Sequence, residues 1–286
     1  MNHDIDEQFE LLGHLLGEGS FGQNITHPGQ AEQRDESASS IDAQKAPGSA
    51  HFERSSDIET RPDIGRERRK GTPEVIFGAT KETAQILSMA QKLLASTKRA
   101  IISRLRTESV APLQQAFQEN TVRFYEASHA MVISSLDYVR KSTGGYVGVI
   151  SAGTSDIPVA EEAALIAEEM GCRVTCIYDV GVAGLHRLLG PLRELITNEV
   201  DVIIVVAGMD GALPSVVAGL VPVPVIGLPT SIGYGLGGKG VAALLSMLQT
   251  CAPGLSVVNI DNGVGAGITA ALIANRVAQA REHQSQ

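Results

Sequence analysis

The sequence contains no tryptophan, and aromatic residues make up only 4% of its 286 residues. Exposed aromatic surfaces that stack nucleic-acid bases are therefore not expected. The formal net charge of -9 also argues against a nucleic-acid partner. No apolar run reaches the roughly 18 residues of a membrane span, and the N-terminus lacks the basic-then-apolar pattern of a secretory signal. We expect a protein with neither nucleic-acid nor membrane partners.

Cysteine is scarce as well. Cys172, Cys176 and Cys251 do not have the spacing of a metal site, and three cysteines do not make a disulfide scaffold. This usage is typical of the reducing cytoplasm. Cys172 and Cys176 flank a predicted strand and are expected to pack in a core. Cys251 lies in a turn before Ala252-Pro253-Gly254, where the spacing alone leaves both a structural and a reactive role open.

Residues 1–70 fall into two parts, of which Gly17–Lys70 is rich in Gly, Ser, Gln and charge and has no sustained hydrophobic period. This composition predicts a largely disordered extension. Apolar residues at helical spacing predict one short helix at Phe9–Leu16. The basic cluster Arg66–Lys70 is expected to be a solvated segment edge.

Residues 71–142 have a different character and predict a small α+β domain. The predicted elements are strands at Glu74–Phe77 and Ala100–Ile102, a helix over Lys81–Ala95, and further β structure at Val122–Ala127 and Met131–Ile133.

Residues 143–286 repeat a strand-then-helix pattern five times, which predicts a parallel sheet in a three-layer α/β domain. Val202–Val206 is an unbroken apolar run, as expected for a strand covered on both faces. The other predicted strands are Tyr146–Ile150, Arg173–Tyr178, Val223–Gly227 and Leu255–Ile260. The first predicted helix begins near Pro158 and ends at Gly171. The other predicted helices span Leu185–Ile196, Ala212–Leu220, Val241–Gln249 and Gly265–Ala280. On the first helix, the wheel places Glu161, Glu162, Glu168 and Glu169 mostly toward solvent.

The turn after the first of these strands carries a polar cluster. Ser151, Thr154 and Ser155 offer hydroxyl groups, and backbone N–H groups at the start of a helix suit an anion such as phosphate. Asp156 instead favours a ribose hydroxyl or a metal. A capping turn without a ligand explains the same residues, and local chemistry leaves these possibilities open.

Two other turns carry cations. Asp179, His186 and Arg187 follow the second strand, where Arg187 suits phosphate or carboxylate and His186 suits a general base. An ordinary helix surface is the competing interpretation. Lys239 lies in a loop with glycines at 233, 235, 237, 238 and 240. That loop is either a mobile lid that approaches a ligand closely or a simple linker.

A carboxylate, Asp210, follows the central strand within Gly208-Met209-Asp210-Gly211. Ligands of open α/β sheets bind at the carboxyl ends of the strands, so Asp210 is a candidate site residue. Asn259–Gly267 is a further polar turn at a strand end, which either positions a ligand or only begins the last helix.

These turns together resemble the LarB family, the pyridinium-3,5-biscarboxylic acid mononucleotide synthases of nickel-pincer cofactor biosynthesis. The motifs that carry the resemblance are Gly71–Gly78, Ser151–Pro158, Tyr178–Arg187, Ala207–Val217 and Asn259–Gly263. The resemblance covers roughly residues 71–280. The C-terminal part is similar, more distantly, to the aminoimidazole ribonucleotide carboxylase-mutases of purine synthesis. Their Ser-Ala-His-Arg segment reads Gly184-Leu185-His186-Arg187 here.

The resemblance implies that residues 143–286 form a flavodoxin-like, three-layer α/β domain that binds a nucleotide and catalyses carboxylation. It implies nicotinic acid adenine dinucleotide and CO2 as substrates, with carboxylation of the pyridinium ring at C5 and cleavage of the phosphoanhydride that releases AMP. Mg2+ is expected to assist the second step, and a homo-oligomer, an octamer by resemblance, is expected in the cytoplasm.

The family's nucleophilic cysteine falls on Cys251, and its acidic position, which looks like Glu in other members, falls on Asp210. Asp210 is expected to remove the C5 proton, although aspartate is one methylene shorter. The substrate-binding set is expected to be Ser151, Thr154, Ser155, Asp156, Asp179, His186, Arg187 and Lys239. The alternatives are a purine-type ribonucleotide carboxylase-mutase, which needs no Cys251, and a nucleotide-binding regulatory subunit without catalysis.

Overall fold

The computed structural model describes residues 60–284, which form two β-sheets with helices packed between them. The predicted helix Phe9–Leu16 lies outside the described residues, as does most of the predicted extension. The basic cluster forms a short helix α1 (Arg66–Lys70), none of whose residues is buried. Arg69 pairs with Asp63 at 2.6 Å, so the expectation of a solvated segment is confirmed.

The smaller sheet has four strands in the order β1-β2-β4-β3. β1 runs parallel to β2, whereas β4 runs antiparallel to both β2 and β3. Helix α3 is not predicted from the sequence because its buried residues are only Ser109 and Leu113, too few for a clear helical period. The elements are β1 (Val75–Phe77), α2 (Thr83–Thr97), β2 (Arg99–Ser103), α3 (Thr107–Ala116), β3 (Thr121–Tyr125) and β4 (Ala130–Ser134).

The larger sheet confirms the predicted parallel α/β architecture. Its five strands are all parallel and follow the order β6-β5-β7-β8-β9, the flavodoxin-like order. The strands are β5 (Tyr146–Ser151), β6 (Arg173–Ile177), β7 (Val202–Ala207), β8 (Val225–Pro229) and β9 (Leu255–Val257). The helices are α4 (Ile157–Glu169), α5 (His186–Thr197), α6 (Leu213–Leu220), α7 (Val241–Leu248) and α8 (Gly263–Gln284).

The element boundaries follow local chemistry. Every residue of β7 is buried because helices cover both faces of the sheet. Helix α8 begins two residues before the predicted start, and the Asn262 side chain accepts a hydrogen bond from the Gly265 amide at 2.9 Å. Since all strands of this sheet are parallel, the turns that follow them meet at one side, which we call the carboxyl edge.

The smaller sheet packs onto helices α4 and α8. Ile101 and Val132 of the smaller sheet share one apolar core with Ala163 of α4 and Ala270 of α8, and each of these side chains is at most 1% exposed. The opposite face of the smaller sheet forms a separate core under α2 and α3. Helix α4 is therefore covered on two sides, by the larger sheet and by the smaller one.

This packing corrects the expectation that the glutamates of α4 face solvent. Glu162 and Glu169 are 3% and 2% exposed. The Glu169 carboxylate contacts Arg99 at 3.1 Å, Arg123 at 3.2 Å and Arg140 at 3.4 Å. The helical wheel failed because it describes α4 as an outer helix. The smaller sheet covers the polar face of α4 and supplies Arg99 and Arg123, and the segment after β4 supplies Arg140.

Along residues 60–284, no helix combines the length and apolar character needed to cross a membrane.

Candidate active site

The carboxyl edge brings together most of the predicted site residues. The turns after β5, β6, β7 and β8 carry Thr154 and Ser155, Asp179, Asp210 and Lys239, respectively. The order of the sheet reverses between β6-β5 and β5-β7, so these turns surround the switch point where α/β sheets bind ligands.

Ser151 is fully buried at the end of β5. Its hydroxyl accepts a hydrogen bond from the Asp179 backbone amide at 3.3 Å, which ties the β5 turn to the β6 turn. Thr154 and Ser155 are exposed on the single 3-10 turn that leads into α4. Their hydroxyls and the neighbouring backbone amides are therefore the accessible anion-binding groups of this turn.

Asp156 is only 4% exposed. One carboxylate oxygen accepts a hydrogen bond from the Gly153 amide at 2.9 Å, and the other accepts one from the Thr230 hydroxyl at 2.7 Å. Burial raises the pKa of Asp156 above its ordinary value, and these two hydrogen bonds oppose the shift. Asp156 thus joins the β5 turn to the β8 turn, and the ribose contact expected of it stays a prediction.

Asp179 and Arg187 face each other at the end of β6. The Arg187 guanidinium lies 3.0 Å from the Asp179 carboxylate, with the two side chains 40% and 52% exposed. An exposed pair of this kind contributes little to stability, so both groups are available for exchange with a ligand. His186 is also exposed and is the first residue of α5.

Asp210 lies on the turn after β7 with a φ of +64°. Its side chain accepts a hydrogen bond from the Ala212 amide at 3.2 Å and is otherwise exposed. A cleft of about 150 Å³, which we call the Asp210 cleft, separates it from the glycine loop at Ile232, Gly233 and Tyr234. The carboxylate therefore meets solvent at the mouth of a small enclosed space.

The glycine loop approaches the β7 turn closely. The Met209 amide donates to the Ile232 carbonyl at 2.9 Å, and a Cβ on Gly208 would lie 2.4 Å from that carbonyl. A side chain at position 208 would therefore push the loop away. Lys239 is exposed on the same loop and adopts a φ of +57°.

Cys251 is exposed but lies at the opposite edge of the sheet. Helix α7 starts at the carboxyl edge and runs back along the sheet, so Cys251 comes just before β9 begins. The Gly254 carbonyl accepts a hydrogen bond from Val225, the first residue of β8. Since β7 spans about 20 Å at about 3.3 Å per residue, the structure does not bring Cys251 to Asp210 within one chain.

Sequence reasoning missed a second group of residues at this edge. Arg104, Ser128 and His129 of the smaller domain face Ser155 and Ile232 across a cleft of about 380 Å³, which we call the interdomain cleft. Arg104 and His129 adopt φ angles of +50° and +49°. Left-handed backbone at such residues is uncommon and concentrates at functional sites. No sequence pattern marks these residues, because the cleft exists only once the smaller sheet docks on α4.

Within the described part of the chain, no group of three or more His, Cys, Asp or Glu side chains is arranged to hold a metal ion. Residues 60–284 therefore do not fit a metal held by such side chains alone.

Comparisons with known proteins divide the chain as the two sheets do. Residues 146–286 match the AIR carboxylase family, and residues 56–144 match the LarB/PurE-like N-terminal domain. The chain is 44% identical over 217 residues to an uncharacterized protein, MJ0165, of Methanocaldococcus jannaschii, covering 74% of this chain and 82% of that protein.

Two further relatives are similar to the C-terminal part. An N5-carboxyaminoimidazole ribonucleotide mutase of Methanocaldococcus jannaschii is 38% identical over 125 residues, covering 43% of this chain and 74% of the mutase. A mutase of the same name from Thermotoga maritima is 35% identical over 134 residues, covering 44% and 73%.

Proposed function

The chain belongs to the LarB/PurE-like family of AIR carboxylase-related enzymes, and from this premise we propose that it makes pyridinium-3,5-biscarboxylic acid mononucleotide for nickel-pincer cofactor synthesis. The substrates are nicotinic acid adenine dinucleotide and CO2. One reaction carboxylates the pyridinium ring at C5, and the other hydrolyses the phosphoanhydride and releases AMP. The observation that carries the proposal is the exposed Asp210 carboxylate at the mouth of its cleft, at the carboxyl edge of an AIR carboxylase domain.

The ring chemistry explains why a thiolate and a carboxylate are needed. A pyridinium C5 is electron-poor and does not attack CO2. When a thiolate forms a bond to C4, the ring electrons move toward nitrogen and the ring becomes a dihydropyridine with an enamine-like C5. C5 then forms the bond to CO2. A base removes the C5 proton, the C–S bond breaks, and the ring becomes aromatic again with the thiolate restored.

Asp210 is proposed as the base for the C5 proton. Its carboxylate accepts a hydrogen bond from the Ala212 amide at 3.2 Å, and Asp210 lines the Asp210 cleft. The adjoining glycine loop adjusts around a flat ring with little steric cost, because glycine tolerates most backbone angles. Aspartate reaches a shorter distance than glutamate, so the ring must enter the cleft to meet it.

Cys251 is proposed as the nucleophile, and its position requires a second copy of the chain. Within one chain it lies a full strand length from Asp210, whereas its exposure allows it to face the carboxyl edge of another subunit. The proposed active enzyme is therefore a homo-oligomer in which Cys251 of the partner subunit completes each site. Two inactive variants, Cys251→Ala and Asp210→Asn, test this arrangement when they are co-expressed with different tags and purified as mixed oligomers.

Mixed oligomers regain activity only if the two residues of one site come from different chains, because some sites then contain both native residues. Mixed oligomers that stay as inactive as their parents contradict the shared site. Size-exclusion chromatography with light scattering provides the control that both variants assemble as the native protein does.

Phosphate recognition is proposed for the exposed polar groups of the edge. Thr154 and Ser155 offer hydroxyls at the start of α4, and Arg187 and Lys239 supply positive charge from the neighbouring turns. Arg187 exchanges its exposed partner Asp179 for the diphosphate. Mg2+ is proposed to arrive on the diphosphate oxygens and water, since the described residues form no metal cluster of their own.

The function is tested by incubating the protein with nicotinic acid adenine dinucleotide, Mg2+ and bicarbonate, and identifying the products by mass spectrometry. The expected products are AMP and a mononucleotide that carries one additional carboxyl group. Cys251→Ala should abolish the carboxylation, whereas Cys176→Ala, which removes another thiol from the same chain, should not. Retained carboxylation in Cys251→Ala contradicts the covalent mechanism.

A second candidate function is that of the mutases to which the C-terminal part is similar. Incubation with N5-carboxyaminoimidazole ribonucleotide tests this alternative in the same assay. Conversion of that nucleotide, with nicotinic acid adenine dinucleotide left intact, favours the mutase. The similarity to the mutases covers less than half of this chain. The LarB/PurE-like N-terminal domain matched by residues 56–144 is the feature that favours the first proposal.

A further inference from the structure

The interdomain cleft lies beside the Asp210 cleft, and Ile232 forms part of the wall of both. The two spaces therefore adjoin at the carboxyl edge, one of about 380 Å³ and the other of about 150 Å³. A ligand composed of two linked ring systems matches this arrangement, because each ring system enters its own space and the linker passes Ile232.

The walls of the interdomain cleft are mainly apolar. Leu105 and Ala127 come from the smaller domain, and Pro158, Val159 and Ile232 come from the larger one. Its volume falls in the range of about 300–1,000 Å³ for small-molecule sites. A flat heterocycle that binds between these walls buries both of its faces against apolar surface, which favours binding.

The polar groups of the interdomain cleft favour a neutral ligand. The Arg104 guanidinium is paired with the buried Glu162 carboxylate at 3.4 Å, and it also donates to the Asp261 carbonyl. The charges of Arg104 and Glu162 cancel, so the Asp261 carboxylate remains as a negative charge. One of its oxygens accepts a hydrogen bond from the Ser231 amide at 2.8 Å. A site with this charge disfavours phosphate and suits a donor-rich group such as a ribose diol.

Ser128 points to a ligand independently of the shape of the cleft. It is only 7% exposed and lines the interdomain cleft. Among residues 60–284, its hydroxyl oxygen has no hydrogen-bond partner, although such groups are normally paired when buried. The surrounding protein covers that oxygen, so it reaches a ligand in the cleft once the Ser128 side chain rotates about its Cα–Cβ bond.

We propose that the interdomain cleft is the nucleoside subsite that binds the adenosine half of the dinucleotide, with the purine between the apolar walls and polar contacts at Ser128 and Asp261. The inference rests on the proposed function, since the second ring system then occupies the Asp210 cleft. It assigns the smaller domain a direct part in substrate binding. Phosphate lies at the side of this cleft that Ser155 lines, next to Thr154, and extends toward Arg187 and Lys239.

The test uses the full-length chain, with AMP as the probe in isothermal titration calorimetry. Ala127→Trp places an indole in the cleft and should weaken AMP binding at least about tenfold. Glu126→Trp changes the neighbouring exposed residue of the same turn, outside the cleft, and should bind AMP as the native protein does. Thermal melting confirms that both variants fold.

A second variant tests the polar contact without adding bulk. Asp261→Asn retains an acceptor for the Ser231 amide, and asparagine tolerates the φ of +57° at this position. Asp261→Asn should weaken AMP binding about tenfold. The 2′,3′-dideoxy analogue of AMP, which lacks the ribose diol, should bind the native protein and the variant with equal affinity.

Absence of AMP binding by the native protein, or equal binding by Ala127→Trp, overturns the assignment. The assignment is also overturned if Ala127→Trp loses binding of nicotinic acid mononucleotide and keeps binding of AMP. The cleft then holds the nicotinate half of the dinucleotide. The outcomes are separable from the function itself. If the dinucleotide is carboxylated and the KM of Ala127→Trp is unchanged, the subsite is wrong and the function stands. If AMP binds as expected and no carboxylation occurs, the function is wrong.

Discussion

Replacing Glu169 with glutamine is expected to lower the free energy of unfolding by about 3 kcal/mol. The Glu169 side chain is completely buried, and its partner Arg99 is 3% exposed with the two groups 3.1 Å apart. Removing one member of a buried ion pair costs about 3–5 kcal/mol, because the remaining charge stays buried without compensation. Glutamine keeps one acceptor oxygen, and Arg99 keeps a second contact to Glu67 at 3.0 Å, so the lower end of that range applies.

The two other partners add little to this value. Arg123 and Arg140 are 44% and 37% exposed, and exposed ion pairs contribute at most about 1 kcal/mol each. For a protein of this size, about 3 kcal/mol corresponds to a fall in Tm of about 6–12 °C. The difference should persist at 1 M NaCl, since salt screens buried charges much less than exposed ones.

Circular dichroism during thermal and urea unfolding at pH 7, at one protein concentration, provides the measurement. Glu168→Gln is the matched control. Its side chain is 38% exposed and contacts Arg140 at 3.6 Å, so the expected loss is below about 1 kcal/mol. If Glu169→Gln is as stable as Glu168→Gln, the buried pair does not hold the smaller sheet on α4 and the reasoning is refuted.

Three further predictions concern the thiols and the carboxylates. Iodoacetamide at pH 8 should label Cys251 and spare Cys172 and Cys176, because burial raises the pKa of each of those two thiols to about 11; peptide mapping that finds all three labelled at similar rates contradicts this. Asp210→Asn should slow carboxylation about 10²–10⁴-fold without changing Tm, as expected for the loss of a general base at an exposed position; a smaller decrease in kcat argues against this role. Burial raises the pKa of Asp156 above its ordinary value of 3.8. Its favourable contribution to the free energy of unfolding is therefore complete below pH 3.8 and is lost as the pH rises through the higher folded-state pKa. As the pH rises from 4 to 7, the free energy of unfolding of Asp156→Asn should therefore increase relative to that of the native protein, as measured by urea unfolding. A difference between the two proteins that stays constant over this range contradicts the raised pKa.

The architecture of the larger domain could be predicted because its information is local. The apolar run at Val202–Val206 is long enough to identify a buried strand, and helical periods separate it from the next strands. Parallel strands place their following turns at one edge, so Thr154, Ser155 and Asp210 were expected together there and lie at that edge in the structure.

The docking of the smaller sheet could not be predicted in the same way. Glu169 contacts Arg99, which lies 70 positions earlier in the chain, and no local period encodes a contact of that separation. The burial of Glu162 and the interdomain cleft around Ser128 follow from the same docking. These features depend on the complementarity of two surfaces, which the hydrophobic pattern of either segment does not reveal.

The position of Cys251 could have been predicted from the alternation of elements alone. A helix that follows one parallel strand returns the chain to the amino end of the next, so the turn after α7 must lie opposite the turn after β7. Resemblance supplied the role of this cysteine without its location. In the proposed enzyme a second subunit brings Cys251 to Asp210, and a single chain carries no information on that arrangement.

The most direct measurement of the proposed carboxylation follows a labelled carbon. The native protein is incubated with nicotinic acid adenine dinucleotide, Mg2+ and ¹³C-bicarbonate, and the mononucleotide product is examined by mass spectrometry and ¹³C NMR. We predict AMP in the mixture and one heavy carbon in the mononucleotide, in a carboxyl group bonded to C5 of the ring. A mononucleotide without the label, or an intact dinucleotide, would contradict the proposed function.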